Sequence, residues 1–458
     1  MTTNQAILLT DLGFGDAGKG SIVDALTRST GAKTVVRYNG GAQAAHNVIT
    51  PEGQHHTFAQ FGSGTFVPGT ETFLSRFMML HPLAMLTEER HLQTLGVGDA
   101  FARMRVDVQA LVTTPFQQSA NRIKEMLRGE GRHGSCGMGV GETMVDWLAH
   151  GSSVLFAGDL PDRKRVMQKL GFIRDAKWAE LEPKFAGIPI SDELAVELNV
   201  FHDSRLIEAT ADVFDYFASL VTLTDGDYLR RQTGTVIFEG AQGVLLDEWY
   251  GFFPYNSWSA LSFKNAETLL AEAGFDGQIT KLGLLRAYAT RHGAGPFPTE
   301  DAALTAALPD PHNGHNPWQR HFRTGPLDFV TLRYALEVTG GVDGLVVTHL
   351  DRLETLKTWR TCNAYISPEK TRHLDEFFTL QNGRIRTIKV STDPTNLPRE
   401  EERTRLLGEM QPVFDEHPHH IDTYLEHISE TLGFPIAMTS AGPTALDKKT
   451  WRGVAIPC

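Results

Sequence analysis

Cysteine is scarce in this chain: Cys136, Cys362 and Cys458 are the only three in 458 residues. Thiols so widely spaced form neither a metal-binding pattern nor a disulfide framework, which suits a reducing cytoplasm. No apolar run is long enough to span a bilayer. The start, Met1 to Gln5, is polar and lacks the basic opening and apolar core of a signal peptide. Positive charge is in deficit, with 43 Lys and Arg against 55 Asp and Glu and a net charge of −12. That balance argues against nucleic acid or an anionic membrane as the main partner. Internal repeats and low-complexity tracts are absent. So is any Asp-x-x-Gly sequence, the element a GTPase switch needs at its γ-phosphate.

What is present is a soluble globular composition, 41% hydrophobic and 21% charged, in a chain long enough to bury a large core. The opening reads as a βαβ unit: strand Ala6–Thr10, a glycine-rich loop, helix Ile22–Thr27 and strand Thr34–Tyr38. The loop, Gly-Phe-Gly-Asp-Ala-Gly-Lys over residues 13–19, has the spacing G-x-x-x-x-G-K, which aims backbone N–H groups and a lysine at a polyphosphate. It departs from the ordinary form twice. Gly20 follows Lys19, so the usual Mg²⁺-holding hydroxyl is missing, and Asp16 sets a negative charge where negative charge should bind. Such a carboxylate is repulsive to phosphate unless it serves a metal or acts as a base. A chance glycine-rich turn with a solvated Asp is the plain alternative.

Two further strands, Val236–Phe238 and Leu345–Thr348, run into the turns 239–243 and 349–351. In an open α/β sheet, turns at the carboxyl ends of strands gather around ligands. Helices are expected over Asn121–Arg128, Asp192–Leu198, Leu206–Leu220 and Arg403–Met410, and a long functional loop over Leu308–Trp318. His417, His419 and His420 fall in a Pro-containing loop and read as a solvated or packing feature.

Several motifs carry a resemblance. GFGDAGKG (13–20), VVRYNGG…AAH (35–46), GSCGMGVG (134–141), FEGAQGVLLD (238–247), PYNSWS (254–259), RAYATRHGAGPFPTE (286–300), RTGPLD (323–328), THLD (348–351) and TSAGP (439–443) occur in this order. Together they resemble the adenylosuccinate synthetases along nearly the whole chain. The resemblance implies one elaborated α/β domain over 1–458, with a P-loop-like core, a large, mostly parallel sheet flanked by helices, and extra subdomains. It also implies a cytoplasmic homodimer that uses GTP and Mg²⁺ to join the amine of aspartate to C6 of inosine monophosphate (IMP). Chemically, deprotonating N1 makes O6 nucleophilic, O6 takes the γ-phosphoryl group, and the amine displaces phosphate.

By resemblance, Asp16 is the base and a Mg²⁺ ligand, with Ala45 the second metal position; His46 acts on the phosphoryl oxygen and Lys19 neutralises the phosphates. GTP is expected on Gly15, Asp16, Ala17, Gly18, Lys19, Gly20 and Ser21, on Ala45, His46 and Asn47, and on His349, Asp351, Ser440, Ala441 and Gly442. Asp351 is placed to accept from the N1–H and 2-amino groups of guanine, which would reject adenine; a helix N-cap is its other reading. The oxopurine and amine fall to Gln43, Ser135, Cys136, His150, Gln242, Ser257 and Arg320. Gln242 reads equally as a turn-capping amide.

The departures from the family pattern fall mostly on substrate recognition. Paired threonines become Ser135 and Cys136, and an arginine becomes Met138. An interface arginine becomes His150, mostly neutral at pH 7 and unable to form a bidentate phosphate contact. The Thr-Thr-Gly-Arg run is Pro317-Trp318-Gln319-Arg320, a following arginine is Phe322, and a lysine is His349. Ala17 replaces a glutamate and Gln43 an asparagine. Each lost charge-assisted hydrogen bond costs about 1.5–3 kcal/mol. A specialised relative that joins another amine, or acts on another oxopurine, is therefore the second reading, and a P-loop GTPase switch the third.

Overall fold

The computed structural model describes residues 4–185, 187–310, 313, 321–368 and 373–452, the side chain of 130 excepted. Gln5–Asp11 carries no charge before its last residue and is buried throughout. That continuous apolar run suits a strand covered on both faces. It lies near the middle of a ten-stranded sheet. In chain order its strands are β1 (Gln5–Asp11), β2 (Thr34–Arg37), β3 (Glu71–Leu74), β4 (Met104–Asp107), β5 (Thr222–Thr224), β6 (Thr235–Glu239), β7 (Gln278–Arg286), β8 (Gly344–Thr348), β9 (Ile436–Ser440) and β10 (Lys448–Thr450). Across the sheet they run β10-β9-β8-β7-β1-β6-β2-β3-β4-β5. All pairings are parallel except the antiparallel edge β9–β10. The expected large, mostly parallel sheet is present.

Alternation distributes the sheet's side chains between two layers. Ile7, Leu9, Val35, Ile237 and Val346 pack with Ile22, Val23 and Leu26 of α1 (Lys19–Thr30). Leu8, Val36, Phe238, Leu345 and Val347 face the larger core on the other side. Each fully buried side chain of this kind contributes roughly 1.5–3 kcal/mol. A separate core gathers α2 (Pro115–Arg128), α4 (Arg163–Leu181), α5 (Asp192–His202) and α6 (Leu206–Leu220), while α3 (Val140–His150) continues the loop after α2. A five-stranded sheet formed by 327–328, 359–366, 378–381, 384–388 and 411–417 packs against α7 (Phe329–Thr339). α8 (Leu397–Gly408) and α9 (Ile421–Leu432) complete that side.

Among the histidines near 417, His419 stacks on Trp359 at 5.3 Å and His420 accepts the N-cap bond of α9 from Thr423. Of the expected 308–318 loop, Leu308 to Asp310 and Asn313 are described; the rest, Trp318 included, lies outside the described residues. No helix among the described residues is long and apolar enough to cross a membrane.

Candidate active site

The carboxyl ends of β1, β2, β6, β7, β8 and β9 open onto one cleft of about 2190 Å³. Pockets for a single small ligand are typically roughly 300–1,000 Å³, so this cleft has room for more than one.

The phosphate loop leaves β1 and enters α1 through Gly18 at φ 75°, with Gly15 at 106° and Asp16 at 62°. Asp tolerates the left-handed region better than most residues, at a cost of about 1 kcal/mol or more. The turn presents the Asp16 carboxylate, 28% exposed, to the cleft. Asp16 Oδ2 lies 3.5 Å from His292 Nε2, which also meets Asn313 Oδ1 at 3.0 Å. Lys19 is 3% exposed and donates to the Gln242 carbonyl at 2.6 Å and to Asp11 at 3.1 Å. Ser21 spends its hydroxyl on the Gly18 carbonyl. The turn after β6 sits directly on the loop: a Cβ at Gly243 would come within 2.3 Å of the Gly13 carbonyl and 2.4 Å of Gly15 N, so only glycine fits.

His46, 5% exposed, opens the strand 46–49, with its Nδ1 2.5 Å from Glu239 Oε1. Ser63 donates to the same carboxylate from its backbone N–H at 2.9 Å and from its hydroxyl. Burial pushes the Glu239 carboxyl up, but the Arg37 charge and the bonds from His46 and Ser63 outweigh it and hold the group well below its ordinary value. Burial holds the His46 imidazole below its ordinary value, against the pull of Glu239. The ring is therefore neutral, with its proton on Nδ1 toward the carboxylate. Nε2 has no hydrogen-bond partner among the described residues.

Three residues expected on the substrate form one chain: Gln242 Oε1 accepts from Ser257 Oγ at 3.0 Å and from Gln43 Nε2 at 3.4 Å. Gln242 therefore reaches across to other loops instead of capping its own turn. Ser135 and Cys136 line the cleft. Glu125 Oε2 already accepts from the N–H groups of Gly134 and Ser135, and the Ser135 hydroxyl donates to Asn121. Burial pushes the Cys136 thiol up to about 11, so it stays protonated. α3, which follows this loop, is anchored by Lys177, whose Nζ lies 2.6 Å from Glu142 and 2.8 Å from Asp146.

At the far end lie His349, Asp351, Ser440 and Gly442. His349, at φ 60°, is the N-cap of the short helix 350–353, so Asp351 is not its cap. Burial and the charges of Arg286, Lys448 and Arg352 hold the His349 ring well below its ordinary value, and it is neutral near pH 7. Lys448, drawn down to about 8 by burial, donates to the Gly442 carbonyl at 2.7 Å.

Most of the residues named from sequence thus share one cleft; Gly15, Gly20, Ala45 and Asn47 line it as well. Ala17 turns its N–H onto Asp11, and neither it nor Ala441 is in the cleft wall. His150 is exposed at the end of α3, edge-on to Phe172 and outside this cleft. Arg320 lies outside the described residues. Asp11, Glu239, Glu125 and His292 were not singled out. Glu239 and His292 stand inside quoted motifs, where a carboxylate or imidazole at a strand end was a usable signal; Asp11 and Glu125 gave none.

The family profile of adenylosuccinate synthetase matches residues 8–448. The adenylosuccinate synthetase of Thioalkalivibrio sulfidiphilus is 30% identical over 432 residues, covering 94% of each chain. That of Gloeobacter violaceus is 32% identical over 441 residues, covering 94% of this chain and 92% of its own. Among solved structures, the fully ligated adenylosuccinate synthetase of Plasmodium falciparum superposes with a TM-score of 0.75 at 19% identity, covering 97% of this chain and 99% of its own. The cyanophage S-2L succinoaminodeoxyadenylate synthetase, bound to dGMP and dATP as energy donor, gives 0.59 at 14% identity, covering 98% and 95%. A match of this extent decides the matter: the chain belongs to the adenylosuccinate synthetase family, ligases that form a carbon–nitrogen bond.

Proposed function

We propose that this chain phosphorylates O6 of IMP with GTP and displaces the phosphate with the amine of aspartate, giving adenylosuccinate. The observation that carries the reading is a phosphate loop whose own carboxylate, Asp16, faces the cleft that also holds Lys19 and the Glu239-backed His46. Asp16 removes the N1 proton and O6 attacks the γ-phosphoryl group. Lys19 offsets the phosphate charge. The His46 ring takes a proton from solvent at Nε2 when the anionic nucleotide enters, donates it as a hydrogen bond to the phosphoryl oxygen as negative charge builds there, and Glu239 stabilises the imidazolium. Asp351 reads guanine.

Mg²⁺ prefers a carboxylate or two together with carbonyl and phosphate oxygens. Asp16 fits: apart from His292, no ion-pair partner meets its carboxylate among the described residues. The Ala45 carbonyl is the second protein oxygen proposed. When bound, the ion neutralises developing phosphate charge. A homodimer is part of the same proposal. Trp147 and Leu148, 40% and 64% exposed, sit beside His150 at the end of α3, on the surface where a second copy would bring its own residues to the cleft.

One observation favours the second reading, a relative with another amine or oxopurine: Glu125 and Asn121 already engage the donors of the 134–135 turn. Phosphate release from GTP with IMP, with and without aspartate, tests both when the product mass is determined. Aspartate-dependent release with a succinyl adduct is expected. Release without an adduct would move the assignment to a different amine, and no release to a different oxopurine.

A further inference from the structure

Asp11 takes no part in these steps, yet it touches the phosphate loop at three points. We propose that it is a positioning residue that acts through Lys19. The proposal rests on reading residues 13–20 as the phosphate site. Asp11 is the last residue of β1 and 1% exposed. Its Oδ1 accepts from the Gly13 N–H at 2.8 Å. Its Oδ2 accepts from the Ala17 N–H at 2.9 Å and from the Lys19 ammonium at 3.1 Å. One carboxylate thereby ties together the start of the loop, its far end and the first residue of α1.

The consequence for the lysine is geometric. An ammonium has three donors. Two are committed, to Asp11 at the end of β1 and to the Gln242 carbonyl in the turn after β6. The remaining donor points where those two leave it before any nucleotide arrives, which is the meaning of preorganisation. The sign of its charge opposes phosphate binding, so the role proposed for Asp11 is orientation and not affinity. With Asp16, it gives the loop two carboxylates against one lysine, and a carboxylate beside a phosphate site weakens phosphate binding. Asparagine at 11 keeps the volume but can accept on one atom only, so either the turn or the lysine loses its partner. Serine can still accept from the N–H two residues on and cannot reach Lys19.

The test is a double-mutant cycle on kcat for GTP-dependent phosphate release, using Asp11→Asn, Lys19→Met and the pair. A misplacement on the order of 1 Å costs up to about a hundredfold. Asp11→Asn should accordingly lower kcat about tenfold or more, while KM for GTP stays within about threefold. In the Lys19→Met background the same change should cost less than about twofold, because residues acting as a unit are not additive. Equal losses in both backgrounds, or an unchanged kcat in Asp11→Ser, which cannot keep Lys19, would overturn the proposal. Asp11→Ser supplies the same comparison if the asparagine variant does not fold. A crystal structure of Asp11→Ser without substrates separates this question from the ligase assignment. Lys19 should leave the Gln242 carbonyl, and a lysine still seated there refutes the role whatever the enzyme makes.

Discussion

Replacing Glu239 by glutamine changes one atom and should disable both the stability and the chemistry of the cleft. The carboxylate is 0% exposed and accepts from Ser63 N–H, Ser63 O–H and His46 Nδ1. The charge of Arg37 also acts on it; Arg37 is itself 0% exposed, and its Nε and Nη2 have no hydrogen-bond partner among the described residues. Glutamine offers one oxygen and one NH₂. If the oxygen stays toward His46, the NH₂ confronts the fixed Ser63 N–H; if it is reversed, His46 must give up its Nδ1 proton and change tautomer. Either way Arg37 loses its buried counter-charge. Removing one partner of a buried pair costs about 3–5 kcal/mol, a large fraction of an ordinary domain's stability. The imidazolium that forms during phosphoryl transfer also loses its stabilising charge, a loss on the order of 10²–10⁴ in kcat. Urea unfolding and GTP-dependent phosphate release measure the two effects separately. Because Glu239 is held below its ordinary value, it adds stability above the unfolded carboxylate range, and that stability is lost as pH falls; the variant should be less acid-sensitive. A variant with wild-type midpoint and kcat would refute the assignment of Glu239 to both partners.

Two other substitutions test the frame around the site. Burial pushes Asp328, the N-cap of α7, up to about 6, against the hydroxyl of Tyr365 and the N–H groups of Thr331 and Val330. The native protein then holds a proton between about pH 4 and 6 that the unfolded chain has lost, so this group's contribution declines as pH rises through that window, by about 3 kcal/mol in total. Asp328→Asn should flatten that part of the stability profile, measured by denaturant unfolding from pH 4 to 7; an unchanged difference across the window would contradict it. Arg403, 1% exposed, binds Glu400 at 2.7 Å, the Gly251 carbonyl at 2.7 Å and the Tyr334 hydroxyl at 3.1 Å. Arg403→Met should destabilise the fold by about 3 kcal/mol and raise KM for the oxopurine, since Gly251 belongs to the loop that carries Ser257. Equilibrium unfolding and steady-state kinetics provide the two readouts.

The sequence signals that worked were those tied to burial. The strands read at 6–10, 34–38, 236–238 and 345–348 appear at 5–11, 34–37, 235–239 and 344–348, because central parallel strands are apolar on both faces. The helix at 206–220 appears at those residues. Helices α2 and α8 start six residues earlier than the apolar pattern indicates, at Pro115 and Leu397. Their first turns are polar and are set by caps: Thr114 with Gln117 as a capping box, and Asn396 ahead of Leu397-Pro398. Those caps were readable; periodicity alone does not see them. Strand β7, with Lys281 and Gly283 inside it, and the three- to five-residue strands β3, β4, β5 and β9 gave too little pattern to stand out.

The site was legible to the extent that its chemistry sits in local motifs. Gly15 to Lys19 are one loop, and a loop's shape follows from its glycines. What holds the reactive groups in place is not local: His46 depends on Glu239, 193 residues away, and Lys19 on the Gln242 carbonyl, 223 residues away. No spacing rule connects such pairs, because the parallel order β1-β6-β2 brings them together and that order is a property of the whole sheet. Asp11 is the instructive exception. It lies only eight residues from Lys19, but it is invisible in sequence, since a carboxylate closing a strand reads as an ordinary solvated end. Its burial turns it into a partner for the loop, and burial is set by β6 and β7 on either side of β1.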